Sequence, residues 1–403
     1  MRVPGPWTGW IDRWKAYFDP RTWRTYRRVR RERWRREGVE GVEGVEGVEG
    51  VEGVAAGAGS GAGREVLIDI TGHLLDRDVG RIAYFVCQLF RWTGFRVCLR
   101  DRFRFVGTLE RKLYKRLLLR HPFEVVAGPS SMGRGFWWVT DRDPGLLPAG
   151  CERLVLLDYE EGVPGEGEIH LPYFFNPMVH EHVGGTDLSR YRSGVRPYRV
   201  FFAGTVNRRY DRDTIPRRYG MLSRCQVLET VRRRFGPDDL VEVNGYEALK
   251  GLGERGRGRI VLLSPEAPLL SVEAWLTVLG QSEVLLAAPG VSMPLAHNLW
   301  EALAVGTVPL LEYAGQLVPP LEGGREALEY SGADGLERAL RRVLSLGAEA
   351  FGPMRAAGWD YYRRHGTVES FVARVEGVSG PRVRVRVFPF EAERSGEGGK
   401  ERR

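Results

Sequence analysis

Three groups of polar residues in this chain have types and spacings suited to chemistry. The loop Gly290-Val291-Ser292-Met293-Pro294-Leu295-Ala296-His297-Asn298 brings a hydroxyl, an imidazole and an amide to the start of a helix that carries Glu301. Free N–H groups at a helix start favour an anion such as phosphate. The segment Phe202-Ala203-Gly204-Thr205 runs into a basic loop with Asn207, Arg208 and Arg209, and Arg224 follows on a helix. A glycine turn lets a diphosphate or a base approach the backbone, and arginine supplies positive charge in a bidentate fork. Ser264, at the end of another apolar run, stands where a nucleotide base would approach. The loop Thr71-Gly72-His73-Leu74-Leu75-Asp76-Arg77-Asp78 offers His73, Asp76 and Asp78 as general bases. Asp76 equally suits the cap of the helix that follows.

The elements around these residues alternate in type. Val284 to Ala288 is an apolar run ending in Pro289-Gly290; a helix with Leu299, Ala302 and Leu303 on one face follows, then Gly306 and a second apolar run, Val308 to Leu311. Such strand, loop, helix, strand units are right-handed crossovers between parallel strands, and ligands bind outside the carboxyl ends of the strands. Upstream, Val66 to Ile70 reads as a buried strand, Asp76 to Trp92 as a helix and Phe95 to Leu99 as the next strand. A helix over Leu109 to Leu119 and strands near 123–127, 136–140 and 154–157 continue the alternation. It predicts a parallel sheet wrapped on both faces. Tyr198 to Phe202 and Ile260 to Leu263 are further strands, Val272 to Gly280 and Glu326 to Val343 further helices.

The run His297-Asn298-Leu299-Trp300-Glu301-Ala302-Leu303-Ala304-Val305-Gly306-Thr307-Val308-Pro309 resembles, without a gap, the donor-binding pattern of exostosin-like GT-B glycosyltransferases. The Phe-Ala-Gly strand end followed by an arginine-bearing helix is similar to the start of their second domain. Ile169-His170-Leu171-Pro172-Tyr173-Phe174 resembles the Pro-Tyr turn that leaves the first. The resemblance implies a GT-B fold, two Rossmann-like α/β domains facing across a cleft, and sugar transfer from a nucleotide-sugar donor to a hydroxyl of a saccharide or lipid-linked saccharide. It implies Glu301 as a contact of the donor ribose and no obligatory metal or other cofactor. The family's Ser-Arg pair is His297-Asn298 here, so the donor diphosphate needs another cation. Met293, eight residues before Glu301, replaces the first glutamate of retaining relatives, which points to inversion. The same fold serves sugar-nucleotide epimerases, and a non-catalytic saccharide- or nucleic-acid-binding descendant is a further reading.

The 403 residues are 43% hydrophobic and 28% charged, enough for two domains with ordinary cores. The net charge of +8 is almost entirely arginine. Cys87, Cys98, Cys151 and Cys225 are widely spaced, with no zinc or disulfide pattern, and a cytoplasmic setting is the default. His180-Glu181-His182 lacks the partners of a metal site. No run has the roughly 18 to 20 apolar residues of a membrane span.

The expected organisation is a basic Trp-rich arm (1–37), a Gly-Val-Glu and Gly-Ala linker (38–63), a first domain (64–185), a nucleotide-sugar domain (196–345), a helix returning to the first domain (350–376) and a charged, loose tail (377–403). In the arm, Trp7, Trp10, Trp14 and Phe18 follow helical spacing, and arginines are dense from Arg27 to Arg36. An anchor at a membrane surface is one reading. A helix packed on the body is another, and nucleic acid is the less favoured partner.

Overall fold

Both halves of the chain build an all-parallel sheet. In this computed structural model the described residues are 17, 19–31, 63–71, 80–162, 164–184, 188–211 and 213–388. They divide into two compact units, one reaching to Pro172 and taking back Val368–Phe388, the other spanning Tyr173–Thr367. The division falls inside the Pro-Tyr turn, ahead of the expected boundary near residue 185.

The first unit holds β1 (Glu65–Asp69), β2 (Arg96–Arg100), β3 (Glu124–Val126), β4 (Phe136–Thr140), β5 (Cys151–Glu161), β6 (Glu168–His170) and β13 (Arg382–Phe388), in the order β3-β2-β1-β4-β5-β13-β6. β1 is central, with Val66 opposite both Val97 and Trp137. Strands in such a position are apolar on both faces, and Val66, Leu67 and Ile68 are all buried. Helix α2 (Arg81–Trp92) covers one face and stacks Phe90 edge-on against Phe95 and Trp137. On the other face Leu67, Cys98, Phe136, Trp138 and Leu154 are covered by Val126, Met132, Leu147 and Cys151, from strand ends and connecting loops.

Two expectations change in this unit. The helix over Leu109 to Leu119 is instead two short 3-10 turns, Leu109–Arg111 and Lys115–Arg120, after helix α3 (Phe103–Gly107). The break turns Lys115 inward, where Nζ donates to Thr108 Oγ1 at 2.8 Å and lies over the Phe105 ring. A buried ammonium must be hydrogen-bonded, and a regular helix here would aim it elsewhere. The charged stretch after Gly377 is the second correction. Its residues Arg382–Phe388 alternate charge and valine, and they form β13, which lies between β5 and β6 with Val383, Val385 and Val387 buried.

Helix α1 (Pro20–Arg31), within the expected arm, packs on α3 through Thr22, Thr25 and Val29. Apart from Tyr17, Asp19 and Gly63, the remaining arm and linker residues lie outside the described residues, among them Trp7, Trp10, Trp14 and Phe18.

The second unit has the order β12-β11-β10-β7-β9-β8, with β7 (Tyr198–Phe202), β8 (Leu240–Val243), β9 (Ile260–Leu263), β10 (Ser282–Leu286), β11 (Val308–Leu311) and β12 (Leu328–Glu329). Its first helices are α4 (Pro177–Val183), capped by Asn176, and α5 (Arg224–Arg234). They are followed by α6 (Val272–Gly280), α7 (His297–Ala304), α8 (Gly332–Ser345) and α9 (Phe351–His365). Val200, Phe202, Ile260, Val284 and Val308 pack on Val227, Val231, Leu336 and Leu340 of α5 and α8. Trp275 of α6 lies on the opposite face, against Phe201.

The single helix expected over 350–376 is two, α9 and then α10 (Val368–Gly377) in the first unit. Gly366 occurs at the break. A Cβ there would fall 2.6 Å from the Trp300 ring, so only glycine lets the chain pass this indole.

Arg196 fastens the entry to this sheet. Its guanidinium donates to Ser282 O (2.7 Å), Val305 O (2.8 Å) and Thr307 Oγ1 (3.1 Å). Burial and the nearby Arg355 push its pKa down to about 10, with Glu283 opposing them, so it remains charged at neutral pH. Arg196→Met would leave these buried acceptors unpaired and is expected to cost about 2–4 kcal/mol. A urea melt would register this as a lower midpoint with unchanged slope.

Candidate functional site

In the second sheet the chain runs from β7 to the outer strand β8, returns through β9 beside β7, and then crosses to β10 on β7's other side. The carboxyl ends of β7 and β10 therefore flank the point where successive connections diverge, the place where open α/β sheets bind ligands. Gly204 and Thr205 follow β7, Ser264 follows β9, and the loop 287–296 follows β10. These sequence-selected residues come to one edge because three neighbouring strands run parallel.

Arg224 ties two of these loops together. Ser223 caps α5 in a capping box: its hydroxyl accepts from Gln226 N, while the Gln226 side chain accepts from Ser223 N at 2.8 Å. This fixes Arg224 in the first turn. Its Nη1 donates to Thr205 O at 3.0 Å and its Nε to Pro289 O at 3.1 Å, while the guanidinium lies over the Tyr210 ring at 4.1 Å. The residue is only 7% exposed, and burial lowers its pKa against the opposing effect of Tyr210 and Tyr313. Gly204 sits against it, since a Cβ there would lie 3.3 Å from Nη1.

The loop after β10 is tightly wound. Gly290 N donates to Pro294 O at 3.1 Å, and a Cβ at Gly290 would meet Met293 O at 2.7 Å. Ser292 is exposed, His297 is the half-buried first residue of α7, and Asn298 is 7% exposed with Oδ1 lacking a hydrogen-bond partner. A buried amide oxygen of this kind is costly unless something donates to it. Ala296 at the N-cap provides no side-chain cap for the first turn of α7.

Glu301 is a correction. It was expected to contact a donor ribose, yet it is 0% exposed, with Oε1 accepting from Asn176 N and Oε2 from Trp275 Nε1, each at 2.7 Å. Its carboxylate knits α4, α6 and α7 together beneath the loop. Arg208 also departs from the expected grouping. It lines an open pocket of about 570 Å³ on the flank of α5, with Asn207, Asp211, Cys225, Glu229 and Arg232, whereas Arg224 faces the loops. Ser264 is half-buried and its hydroxyl accepts from Glu266 N at 3.4 Å.

No protein-family model matches the chain, and neither does any curated protein. Solved structures do. A glycosyltransferase from Rickettsia africae is 9% identical with a TM-score of 0.44, covering 77% of this chain and 96% of its own. HepE from Anabaena, solved in complex with UDP, is 9% identical with a TM-score of 0.38, covering 78% and 98%. Sucrose-phosphate synthase from Thermosynechococcus elongatus is 13% identical with a TM-score of 0.38, over the same shares. The likeness is one of general fold.

In the first unit, the divergence point lies between β1 and β4. Asp141, after β4, accepts from Thr71 N (2.9 Å) and Thr71 Oγ1 (2.8 Å), tying the two strand ends. Burial raises the nearby Tyr159 hydroxyl well above its ordinary pKa, and Asp141 adds to this. Asp69 is buried between Arg100 and Arg102, the latter donating from Nε at 2.8 Å. The base candidates His73, Asp76 and Asp78 lie outside the described residues. Among described residues no group of three or more His, Cys, Asp or Glu is placed to hold a metal ion. His182 pairs with Glu273 at 3.5 Å and His180 is buried.

Sequence reasoning missed Tyr210 and the Asn176–Glu301–Trp275 group. The capping box was present as Ser223-x-x-Gln226, a signal that places Arg224 in a first turn. Nothing in the sequence joins Glu301 to a backbone N–H at residue 176.

Proposed function

We propose that the chain is a GT-B, exostosin-like glycosyltransferase that moves a sugar from a nucleotide-sugar donor to a hydroxyl of a saccharide or lipid-linked saccharide, with inversion and without a metal. The observation that supports this reading is Arg224 held between the β7 and β10 loops by Thr205 O and Pro289 O. A positive group near a helix start suits a diphosphate. Arg224 answers the absence of the family's arginine at the position of Asn298.

In this reading the donor diphosphate lies between Gly204-Thr205 and the first turn of α7, and Ser264 and Ser292 line the approach of the nucleoside. Asn298 Oδ1 accepts from a hydroxyl of the donor. A base from His73, Asp76 and Asp78 takes the acceptor hydroxyl proton as its oxygen attacks the anomeric carbon from the face opposite the leaving group. The anomeric C–O bond breaks with its electron pair staying on the diphosphate, whose charge the prearranged donors stabilise.

The test is a thermal-shift screen of the full chain against UDP, GDP, CMP and dTDP. A ligand at 100 times its Kd adds about 2.7 kcal/mol, so one nucleotide is expected to raise the melting temperature by several degrees. Asn298→Ala is expected to diminish that rise and Arg224→Met to remove it, with Arg224→Lys as the charge-preserving control. No rise with any of the four would sink the proposal. Incubating the matching nucleotide-sugar with and without saccharide acceptors then separates transfer from epimerisation by the products.

A further inference from the structure

Helix α1 is held on the first unit in a way that leaves one face exposed among the described residues. Thr22, Thr25 and Val29 face α3, and the two arginines at the edges of that contact are paired, Arg28 with Glu110 and Arg30 with Asp101 (3.2 Å). Thr25 Oγ1 donates to Glu110 and Tyr26 OH to Asp101 at 2.7 Å, so the same two carboxylates clamp both sides of the helix. At 100° per residue, Arg24, Arg27 and Arg31 project on the opposite side from Thr22, Thr25 and Val29. All three are exposed, and none has an ion pair among the described residues. The helix contains no acidic residue.

Beside this stripe stand two half-exposed aromatics, Trp23 (41%) and Tyr17 (43%), joined by a hydrogen bond from Trp23 Nε1 to Tyr17 O at 2.8 Å. Both rings pack on Phe103, at 4.3 and 5.0 Å between centroids. Arg27 lies over the Trp23 ring at 5.9 Å.

We infer that this face docks on an anionic lipid surface. Three exposed arginines on one side of a helix, without an ion pair among the described residues, complement a layer of phosphate headgroups, and partly exposed Trp and Tyr beside them suit the interfacial zone. A nucleic acid would need an open ring face for base stacking. The Trp23 ring is already engaged by Phe103 and Arg27. The paired arginines seat the helix, and the unpaired ones are left for the membrane. The inference is independent of the transferase reading, since lipid binding needs no donor or acceptor.

The experiment is flotation of the full chain with phosphatidylcholine vesicles, with or without phosphatidylglycerol, comparing wild type with R24Q/R27Q/R31Q and R24K/R27K/R31K. Wild type is expected to bind only the phosphatidylglycerol vesicles, in a salt-sensitive manner. At about a factor of five per arginine near an anionic surface, the glutamine variant is expected to lose on the order of a hundredfold in affinity. The lysine variant is expected to bind as wild type, and all three proteins to melt together. Wild-type binding by the glutamine variant, equal binding of both vesicle types, or tighter binding of duplex DNA than of anionic vesicles at the same salt would overturn the inference.

Discussion

A chain ending at Gly377 is expected to lose the folded first unit, whereas one ending at Phe388 is expected to keep it. β13 is inserted between β5 and β6 rather than added at an edge. It pairs with Leu154 to Glu161 on one side and with Glu168 to His170 on the other. Leu154 N and Leu171 N donate to the carbonyls of Pro381 and Arg386 at 2.7 and 2.8 Å. Without β13 the three-residue β6 has no neighbour, and the 11-residue β5 becomes a bare edge. The buried Val383, Val385 and Val387 contribute about 1.5 kcal/mol or more each, so their loss alone takes about 5 kcal/mol from a domain that has about 5–15 in all. Arg384 and Arg386 also leave Asp158 and Glu168, carboxylates whose pKa values they lower. Soluble yield and limited proteolysis would check this, cleavage between residues 64 and 172 being expected in the shorter chain alone. A shorter chain melting within a degree or two of the longer would show that β13 is dispensable.

The second large effect is at Glu301. Removing the side chain leaves Asn176 N–H and Trp275 Nε1–H without their acceptor in a buried site, and it opens a cavity. Hydrogen bonds to a charged group contribute about 1.5–3 kcal/mol each, so Glu301→Ala is expected to destabilise the second unit by about 3–5 kcal/mol. Glu301→Gln keeps one good acceptor and is expected to recover a good part of this. Chemical denaturation followed by tryptophan fluorescence would measure both, Trp275 itself reporting. A donor ligand that touched Glu301 directly would instead show unchanged stability and weakened nucleotide binding in the alanine variant. That outcome would return the residue to the site and contradict its burial.

Local signals gave a good account of both sheets. Val66 to Ile70, Tyr198 to Phe202, Ile260 to Leu263 and Val308 to Leu311 are apolar runs bounded by turn residues, and each is a parallel strand in the structure to within a residue. Reading went astray where charge was taken as a sign of the surface. Arg-Val-Arg-Val-Arg-Val from Arg382 has the period of two that marks a half-buried strand. Its arginines drew the reading towards a loose tail, yet they face Asp143, Asp158 and Glu168. The Leu109 to Leu119 segment failed for the converse reason: its leucines suit a helix, but the buried Lys115 had a partner in Thr108 that no periodicity reveals.

The sequence by itself determined most of the strands of both sheets, that Gly204, Thr205 and Ser292 follow strands and that His297 and Asn298 begin a helix, because those features rest on neighbours within a few residues. Only the tertiary structure decided which partners each buried charge takes. Arg224 and Glu301 are both charged residues on helices beside the same loops, and nothing local separates them. Arg224 is aimed at the carbonyls of Thr205 and Pro289, 65 residues beyond it in the second case, and Glu301 at the N–H groups of Asn176 and Trp275. A buried charge takes its role from the partners that compensate its desolvation, and those partners are neighbours in space.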